Sequence, residues 1–594
     1  MFTVNCRIRD STLDTKEIRT WRRNGESNSE RRKAVRPTCR YGTTGRRRRP
    51  AQPTRHDVPH PSVLIDSRSV AADEVIRGDV CIIGAGPAGI AMACAMRKQP
   101  FRVVLLESGS LSPQPATQAL YRGRNVGREY FPLDGCRVRT FGGSTQRWGG
   151  WCRSLDPEDF EARPWVPGSG WPIRREDLAC HYRRARELCQ LVVAEGEIDS
   201  GPPLPGRPRI PLTGGLTTTV YQFSPPTRFG PAYREELNQA ENIAVYLSAN
   251  VVRLEGGEHG GPLRAAIVRT LADKAFRVEA RVFVLAAGGI ENPRILLASR
   301  DARPDGLGNE NDLVGRFFME HLHVPLGCFV PVRPNTNLSL YVEGRRGVQR
   351  PLGALTVTPE ARRAQRLYGF SAAFFPPTRK SVATVLRDQA RLRHPWRLHA
   401  ASIARSGTLG FGLRVLDGLI RHGHLALAAG TAPVLRPGVR QVYEIMGRGE
   451  QTPLWESRVT VGRDRDRLGV PIAELDWRVS AGDLANMMAS LESIGRGLLA
   501  SAAGTLYLPE DSGAAWADRI TGSWHHIGTT RMHAEPAHGV VDAQCRVHSV
   551  PNLYVTGSSV FPTGGYANPV LTTVALALRL ADHLTQSLTG RLPP

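Results

Sequence analysis

Three groups of residues have types and spacing suited to chemistry. The first is a glycine loop, Gly84-Ala85-Gly86-Pro87-Ala88-Gly89, with Glu107 placed 18 residues beyond Gly89. In such a loop the first glycine permits a tight turn and the second lets backbone approach a pyrophosphate. The helix that follows offers N–H donors and the positive end of its dipole. An acid where Glu107 stands can accept hydrogen bonds from ribose hydroxyls. The second group is the pair His525-His526. An imidazole with a pKa near about 6.5 suits proton acceptance at neutral pH. Adjacent side chains on an extended segment point to opposite sides, so only one of the two faces a given ligand. The third is Asn568, whose side-chain amide can donate a hydrogen bond. Asn568 also precedes Pro569, a pairing that suits a helix N-cap, and the two roles are compatible.

These groups need elements to hold them. Asp79-Val80-Cys81-Ile82-Ile83 is a short β-branched run that ends at the glycine loop, an Ala-rich helical stretch follows, and Arg102-Val103-Val104-Leu105-Leu106 is a second such run. The pattern predicts a βαβ unit opening a parallel sheet. Arg281 to Ala287, ending at Gly288-Gly289, predicts another strand, and Leu553-Tyr554-Val555, ending at Gly557, a further one with a helical stretch from Val570 to Leu584 downstream. Strands of one sheet therefore lie far apart in the sequence, and an inserted domain is expected between them. The expected division is a first part of a discontinuous nucleotide-binding domain over 63–320, a substrate-binding domain over 321–510, and a C-terminal part over 511–594 carrying His525 and Asn568. The glycine loop by itself leaves FAD and NAD both open.

Composition excludes several classes. The 594 residues are 41% hydrophobic and 22% charged, which rules out a wholly disordered or fibrous chain. The net charge of +23 suggests nucleic acid, yet only five of the 78 basic residues are lysine and the remainder arginine, a skew that reads as compositional bias. No recognition motif accompanies the charge, so no nucleic-acid partner is expected. Residues 1–62 hold 16 basic and six acidic residues with neither helical nor strand period, and are expected to form a disordered basic segment. Whether they are translated stays open, because order begins at Val63, which could serve as a non-ATG start. A role for that tail at an acidic membrane surface or on nucleic acid is a separate reading. The ten cysteines are scattered without any Cys-x-x-Cys pair. Glu320-His321-Leu322-His323 has metal-like histidine spacing but no supporting acidic or cysteine cluster, and no metal is expected. No apolar run reaches the ~18 residues of a membrane helix, and the N-terminus lacks the apolar core of a secretory signal. The expectation is a cytoplasmic protein without an integral membrane segment, with peripheral membrane association left open.

Further motifs occur in a fixed order. Phe141-Gly142-Gly143-Ser144-Thr145 is followed by Trp148-Gly149-Gly150, and Leu285-Ala286-Ala287-Gly288-Gly289 runs into Ile290-Glu291-Asn292-Pro293-Arg294. Glu450-Gln451-Thr452-Pro453 leads to Ser457-Arg458-Val459-Thr460. Trp524 to Met532 and Asn552 to Thr572 complete the set. Over about residues 63–590 the chain resembles the glucose-methanol-choline (GMC) oxidoreductases, with the sugar dehydrogenase and pyranose oxidase branch nearest. The resemblance implies an α/β fold, in which a Rossmann-like, doubly wound FAD-binding domain receives an inserted α+β substrate-binding domain. It implies that Gly84, Gly86 and Gly89 hold the FAD pyrophosphate, Glu107 the adenosine ribose, and the Val251 backbone the adenine. Gly142, Gly143 and Ser144 would run beside the pyrophosphate and isoalloxazine, with Pro569 and Val570 at the flavin pyrimidine edge. His525, three residues before Gly528, takes the position of the base, and Asn568 that of its partner. Where some relatives carry a histidine that bonds the flavin, Arg147 precedes Trp148 here, so non-covalent FAD is expected. The implied reaction oxidises a CH–OH group of a sugar, glycoside or other alcohol by proton abstraction and hydride transfer to flavin N5. Oxygen, a quinone or a cytochrome would take the electrons. A flavin-dependent lyase or decarboxylase on the same fold is the alternative.

Overall fold

The strand Val75–Ile83 runs into Gly84, whose φ of +108° turns the chain sharply into the helix Pro87–Met96. Only glycine adopts that conformation without strain. The strand Val103–Leu106 returns beside the first in parallel, with Val80 opposite Val103 and Ile83 opposite Leu106. Their apolar, β-branched residues are buried on both faces, as a parallel sheet covered on two sides requires. Around them the chain builds an eight-stranded sheet. Ile243–Leu247 and Leu64–Asp66 extend it in parallel beyond Val103–Leu106. On the other side Ala275–Leu285 pairs in parallel with Val75–Ile83 and with Leu553–Val555, and an antiparallel edge is added by Leu263–Arg269 and Asn250–Gly256. Helix Pro87–Met96 is apolar all round because Val570–Thr589 and Phe229–Asn238 also pack on it. Fully buried side chains such as Ile90, Met92 and Met96 each contribute about 1.5–3 kcal/mol.

This computed structural model describes residues 64–192, 206–225, 227–333, 336–342, 351–376, 442–507 and 517–590. The expected disordered segment 1–62 lies outside them.

A second, seven-stranded sheet has the order Gly504–Tyr507, Leu322–Pro331, Tyr443–Gly449, Phe370–Phe375, Leu352–Val357, Leu216–Phe223, Trp151–Cys152. Its neighbours are all antiparallel. The helix Ala481–Ala500 packs on this sheet, started by a capping box in which Ser480 and Asp483 satisfy each other's backbone N–H. Phe329 and Phe374 stack at 4.9 Å in the core.

The expected division of the chain does not match the sheets. Trp151–Cys152 and Leu216–Phe223, expected in the nucleotide-binding part, belong to the second sheet. Leu216–Phe223 is buried along nearly its whole length and pairs over six residues with Leu352–Val357, so it sits inside a sheet rather than on a surface. In the opposite sense, Arg458–Arg465 and Pro471–Asp476 fall inside the expected 321–510 insert, but form a small sheet with Gly123–Asn125. The chain thus crosses repeatedly between its two halves. His323 and Arg448 of the second sheet, with His321 just before the strand of His323, are brought close to His525 and Asn568. Among the described residues, no helix is long and apolar enough to cross a membrane.

Candidate active site

A cavity of about 400 Å³ opens against the first sheet. Gly84, Gly86, Glu107, Gly143, Ser144, Val251, His525, Asn568, Pro569 and Val570 all line it; Gly89 and Gly142 do not. A side chain's first carbon at Gly89 would stand 1.9 Å from the Gly84 carbonyl oxygen, and one at Gly84 would stand 2.8 Å from that of Ala286. These two glycines let helix, turn and strand approach each other. Gly142, at φ +96°, donates its N–H to the Ala85 carbonyl at 2.8 Å and so fastens the second glycine loop to the first. At Gly86, Gly288 and Gly557, by contrast, an added carbon would meet nothing within 4 Å. Gly86 and Gly143 come so close that a carbon on Gly143 would lie 3.0 Å from the Gly86 Cα.

Polar groups complete this cradle. Gly86 caps the helix Pro87–Met96 without a side-chain acceptor, so N–H groups of the first turn are left for a ligand. Glu107 is buried, and its two carboxylate oxygens accept the N–H groups of Gly109 at 2.7 Å and Ala85 at 2.9 Å. Burial pushes its pKa up against those hydrogen bonds. Glu107 therefore ties the glycine loop to the end of the second strand as well as facing the cavity, a duty its spacing does not reveal. Arg139 also lines the cavity; its Nε donates to Ser108 Oγ at 2.9 Å, while its buried Nη1 makes no hydrogen bond among the described residues. A buried guanidinium donor with that freedom suits an anionic or hydroxylated ligand. Bare glycine walls, an uncapped helix start and this donor fit a dinucleotide such as FAD.

The other region is built from side chains. His525 is half-buried, and its Nε2 lies 3.3 Å from Asn568 Nδ2. Its Nδ1 lies 2.8 Å from His321 Nδ1 and 2.9 Å from Ser523 Oγ. The backbone N–H of His525 donates to both oxygens of Glu320 at 3.0 Å, and Ser523 N–H donates to the same carboxylate. Arg448 donates from Nη1 to Asn568 Oδ1 and from Nε to His323 Nε2 at 2.8 Å. The sheet register explains this reach, because His323 and Arg448 stand opposite each other on neighbouring strands. His526 turns the other way, with Nε2 3.0 Å from the Tyr130 hydroxyl and its ring against Phe318. Between Ser523 and His525, Trp524 adopts φ +62°, a conformation of sparse occupancy for a bulky residue. The Asn568 side chain does not cap a helix: Val570–Thr589 begins after Pro569 without any side-chain cap.

Burial sets the electrostatics of this corner. It holds His525 well below the ordinary imidazole pKa, with His321 and Arg448 adding to the effect. Burial and Arg448 bring His321 down to about 4, and burial with Arg137 brings His526 down to about 3. All three rings are therefore neutral near pH 7. Burial also lowers the pKa of Arg448, and among the described residues no carboxylate pairs with it. Arg448 thus brings an unpaired positive charge to the Asn568 side of the corner, where an oxygen gaining negative charge is favoured.

His321, His323, Ser523, Glu320 and Arg448 escaped sequence reasoning. The Glu320-to-His323 stretch carries one usable signal, since residues two apart share a face of an extended segment, but that spacing equally suits a metal site. Arg448 carried none.

Two family models match the chain: one described as FAD dependent oxidoreductase over residues 79–432, and one described as GMC oxidoreductase over residues 453–577. The chain is similar to 2-methyl-1,2-propanediol dehydrogenase of Mycolicibacterium austroafricanum, at 23% identity over 86% of this chain and 95% of that protein. Paromamine 6'-oxidase of Streptomyces fradiae is 26% identical over 86% of this chain and 92% of its own length. The 6'''-hydroxyparomomycin C oxidase of Streptomyces lividus is 24% identical, covering 92% and 97%. With the first model spanning more than half of the sequence and the second its C-terminal part, the chain belongs to the FAD-dependent oxidoreductases of the GMC family.

Proposed function

We propose that the protein oxidises a CH–OH group of a polyhydroxylated small molecule, a sugar, glycoside or polyol, to the carbonyl, using non-covalently bound FAD. The observation that carries this reading is the His525–Asn568 pair, 3.3 Å apart on the wall of the same cavity as the glycine cradle. His525 accepts the hydroxyl proton, which its depressed pKa permits because the ring is neutral at physiological pH. Asn568 donates its amide N–H to the substrate oxygen as charge grows there, and Arg448 behind it adds a positive charge on that side. Bound FAD supplies the acceptor for the carbinol hydride. Gly86, Gly143, Ser144, Glu107, Val251, Pro569 and Val570 hold it, with Gly84, Gly89 and Gly142 shaping the turns. Arg147, beside Trp148 in the cavity wall, offers no nucleophile for a covalent flavin link.

The polyhydroxylated substrate class draws on the relatives, whose names give 2-methyl-1,2-propanediol, paromamine and 6'''-hydroxyparomomycin C as substrates. None of those named is a lyase or decarboxylase, and that alternative has no support. The electron acceptor is oxygen, a quinone or a cytochrome, and the reading places the enzyme in the cytoplasm.

The test is the absorbance spectrum of the purified protein under anaerobic conditions, before and after adding diols, aldoses, glycosides and aminoglycosides. Flavin bands that bleach with one polyol class, and flavin released by acid precipitation, are the expected results. Readmitting air then separates oxidase from dehydrogenase. Flavin that no alcohol reduces would overturn the proposal, and flavin retained in the acid pellet would overturn its non-covalent part.

A further inference from the structure

The hydrogen-bond chain through the catalytic pair has two ends whose polarity is fixed by chemistry. At one end Arg448 has only donors, so Asn568 Oδ1 must accept from Nη1 and the amide nitrogen must turn towards His525. At the other end the Gly564 carbonyl, 3.2 Å from His321 Nε2, can only accept. His321 Nε2 therefore carries the proton, and in the neutral ring its Nδ1 is bare. His525 Nδ1, 2.8 Å from that bare nitrogen, must then be the protonated nitrogen of its own ring. Read from either end, the result is the same: His525 Nε2 holds the lone pair, with Asn568 N–H directed at it. Ser523 Oγ does not disturb this order. It can give its proton to the Glu320 carboxylate at 3.3 Å or the His321 carbonyl at 3.2 Å, and share the proton on His525 Nδ1.

Resting on the reading of His525 as the base, we propose that Arg448 and His321 are positioning residues that lock His525 as the Nδ1–H tautomer, so that Nε2, once the arriving hydroxyl has drawn the Asn568 N–H to its own oxygen, takes the substrate proton. An amide's oxygen and nitrogen are nearly equal in shape, so without Arg448 nothing stops Asn568 from turning its oxygen towards Nε2. That orientation stabilises the Nε2–H tautomer, which has no lone pair where the substrate hydroxyl arrives. Without His321, the Nδ1 proton loses its nearest acceptor. Once His525 has taken the proton, its Nδ1–H still points at His321, which helps to carry the new charge. The charged and titratable groups facing His525 are His321, His323, Arg448 and His526, with Glu320 reached through the backbone N–H. Among these only Glu320 is acidic.

The experiment uses the flavin-loaded protein with 15N-labelled histidine. The 15N shifts of His525, assigned by difference against His525→Asn, report which nitrogen carries the proton near neutral pH. The wild type is expected to show the proton on Nδ1. Arg448→Met is expected to shift the population towards Nε2–H and to lower kcat by about 100-fold, with KM changed by less than about threefold. Arg448→Lys, which restores a donor and the charge, recovers part of both, and His321→Phe moves the tautomer in the same direction as Arg448→Met. A wild-type His525 protonated on Nε2 would overturn the proposal even if a variant failed to fold. So would Arg448→Met with unchanged tautomer and kcat at full flavin content. If His525→Ala itself keeps its rate, the base assignment fails; if His525→Ala is inactive while Arg448→Met matches wild type, only the positioning role fails.

Discussion

The two regions lining the cavity are built by opposite means. The dinucleotide cradle is made of backbone: glycines at 84, 86, 89, 142 and 143, a helix start, and Glu107 accepting two main-chain N–H groups. The proposed catalytic corner is made of side chains, with His323 and Arg448 from the second sheet and His321, His525 and Asn568 from the segments beside it. A backbone site should fail when volume is added, whereas a side-chain site should fail when a proton or charge is moved. That contrast tells which substitution damages which region.

Its sharpest form concerns two glycines three residues apart. At Gly86 the first carbon of a Gly86→Val side chain meets no atom of the described residues within 4 Å, so the fold should survive while flavin binding is abolished. Gly89→Ala places a carbon 1.9 Å from a carbonyl oxygen, so the protein itself should be destabilised. Flavin content measured beside thermal unfolding separates the two, and a Gly86→Val protein with full flavin would break the contrast.

The next effect belongs to the corner. Asn568→Ala should lower kcat by about 100-fold or more, the usual cost of losing one donor to a developing oxyanion, with flavin content intact. Loss of flavin in that variant, rather than of rate, would move Asn568 from the side-chain region to the cradle. A smaller effect is expected at Glu107→Gln, which sets an amide N–H against one of the two backbone donors. The Kd for FAD, titrated on apoprotein, should rise about tenfold, and an unchanged Kd would show that the carboxylate is not needed.

The legibility of the two regions in the sequence follows the same division. A backbone site needs glycines at short fixed spacing between a strand and a helix, so Gly84 to Gly89, Glu107 and the strands Val75–Ile83, Val103–Leu106, Ala275–Leu285 and Leu553–Val555 could all be read locally. His525 and Asn568 were reachable only because their flanking residues resemble a family motif. Arg448 reaches the corner through a register, opposite His323, that no local pattern encodes. The allegiance of Trp151–Cys152 and Leu216–Phe223 to the second sheet was hidden for the same reason, since Leu216–Phe223 pairs with a strand about 130 residues away. His321 and His323 read locally as a metal-like pair, and nothing local points to the contact that His321 makes with His525.

The smallest effect is a displacement along the pH axis. Because burial, His321 and Arg448 depress the pKa of His525, the base stays neutral below the usual ~6.5 of an imidazole. The acid limb of kcat/KM should therefore lie below pH ~6.5, with activity level from there to neutrality. An acid limb above that value would mean that the corner raises the pKa of its base rather than lowering it.

The most direct test of the division of labour is the anaerobic reduction of His525→Ala, followed in a single turnover with whichever polyol bleaches the wild type. Flavin content and spectrum should equal those of the wild type, with a reduction rate lower by about a thousandfold, within the range for removing a general base. A reduction rate within a few-fold of wild type would contradict it.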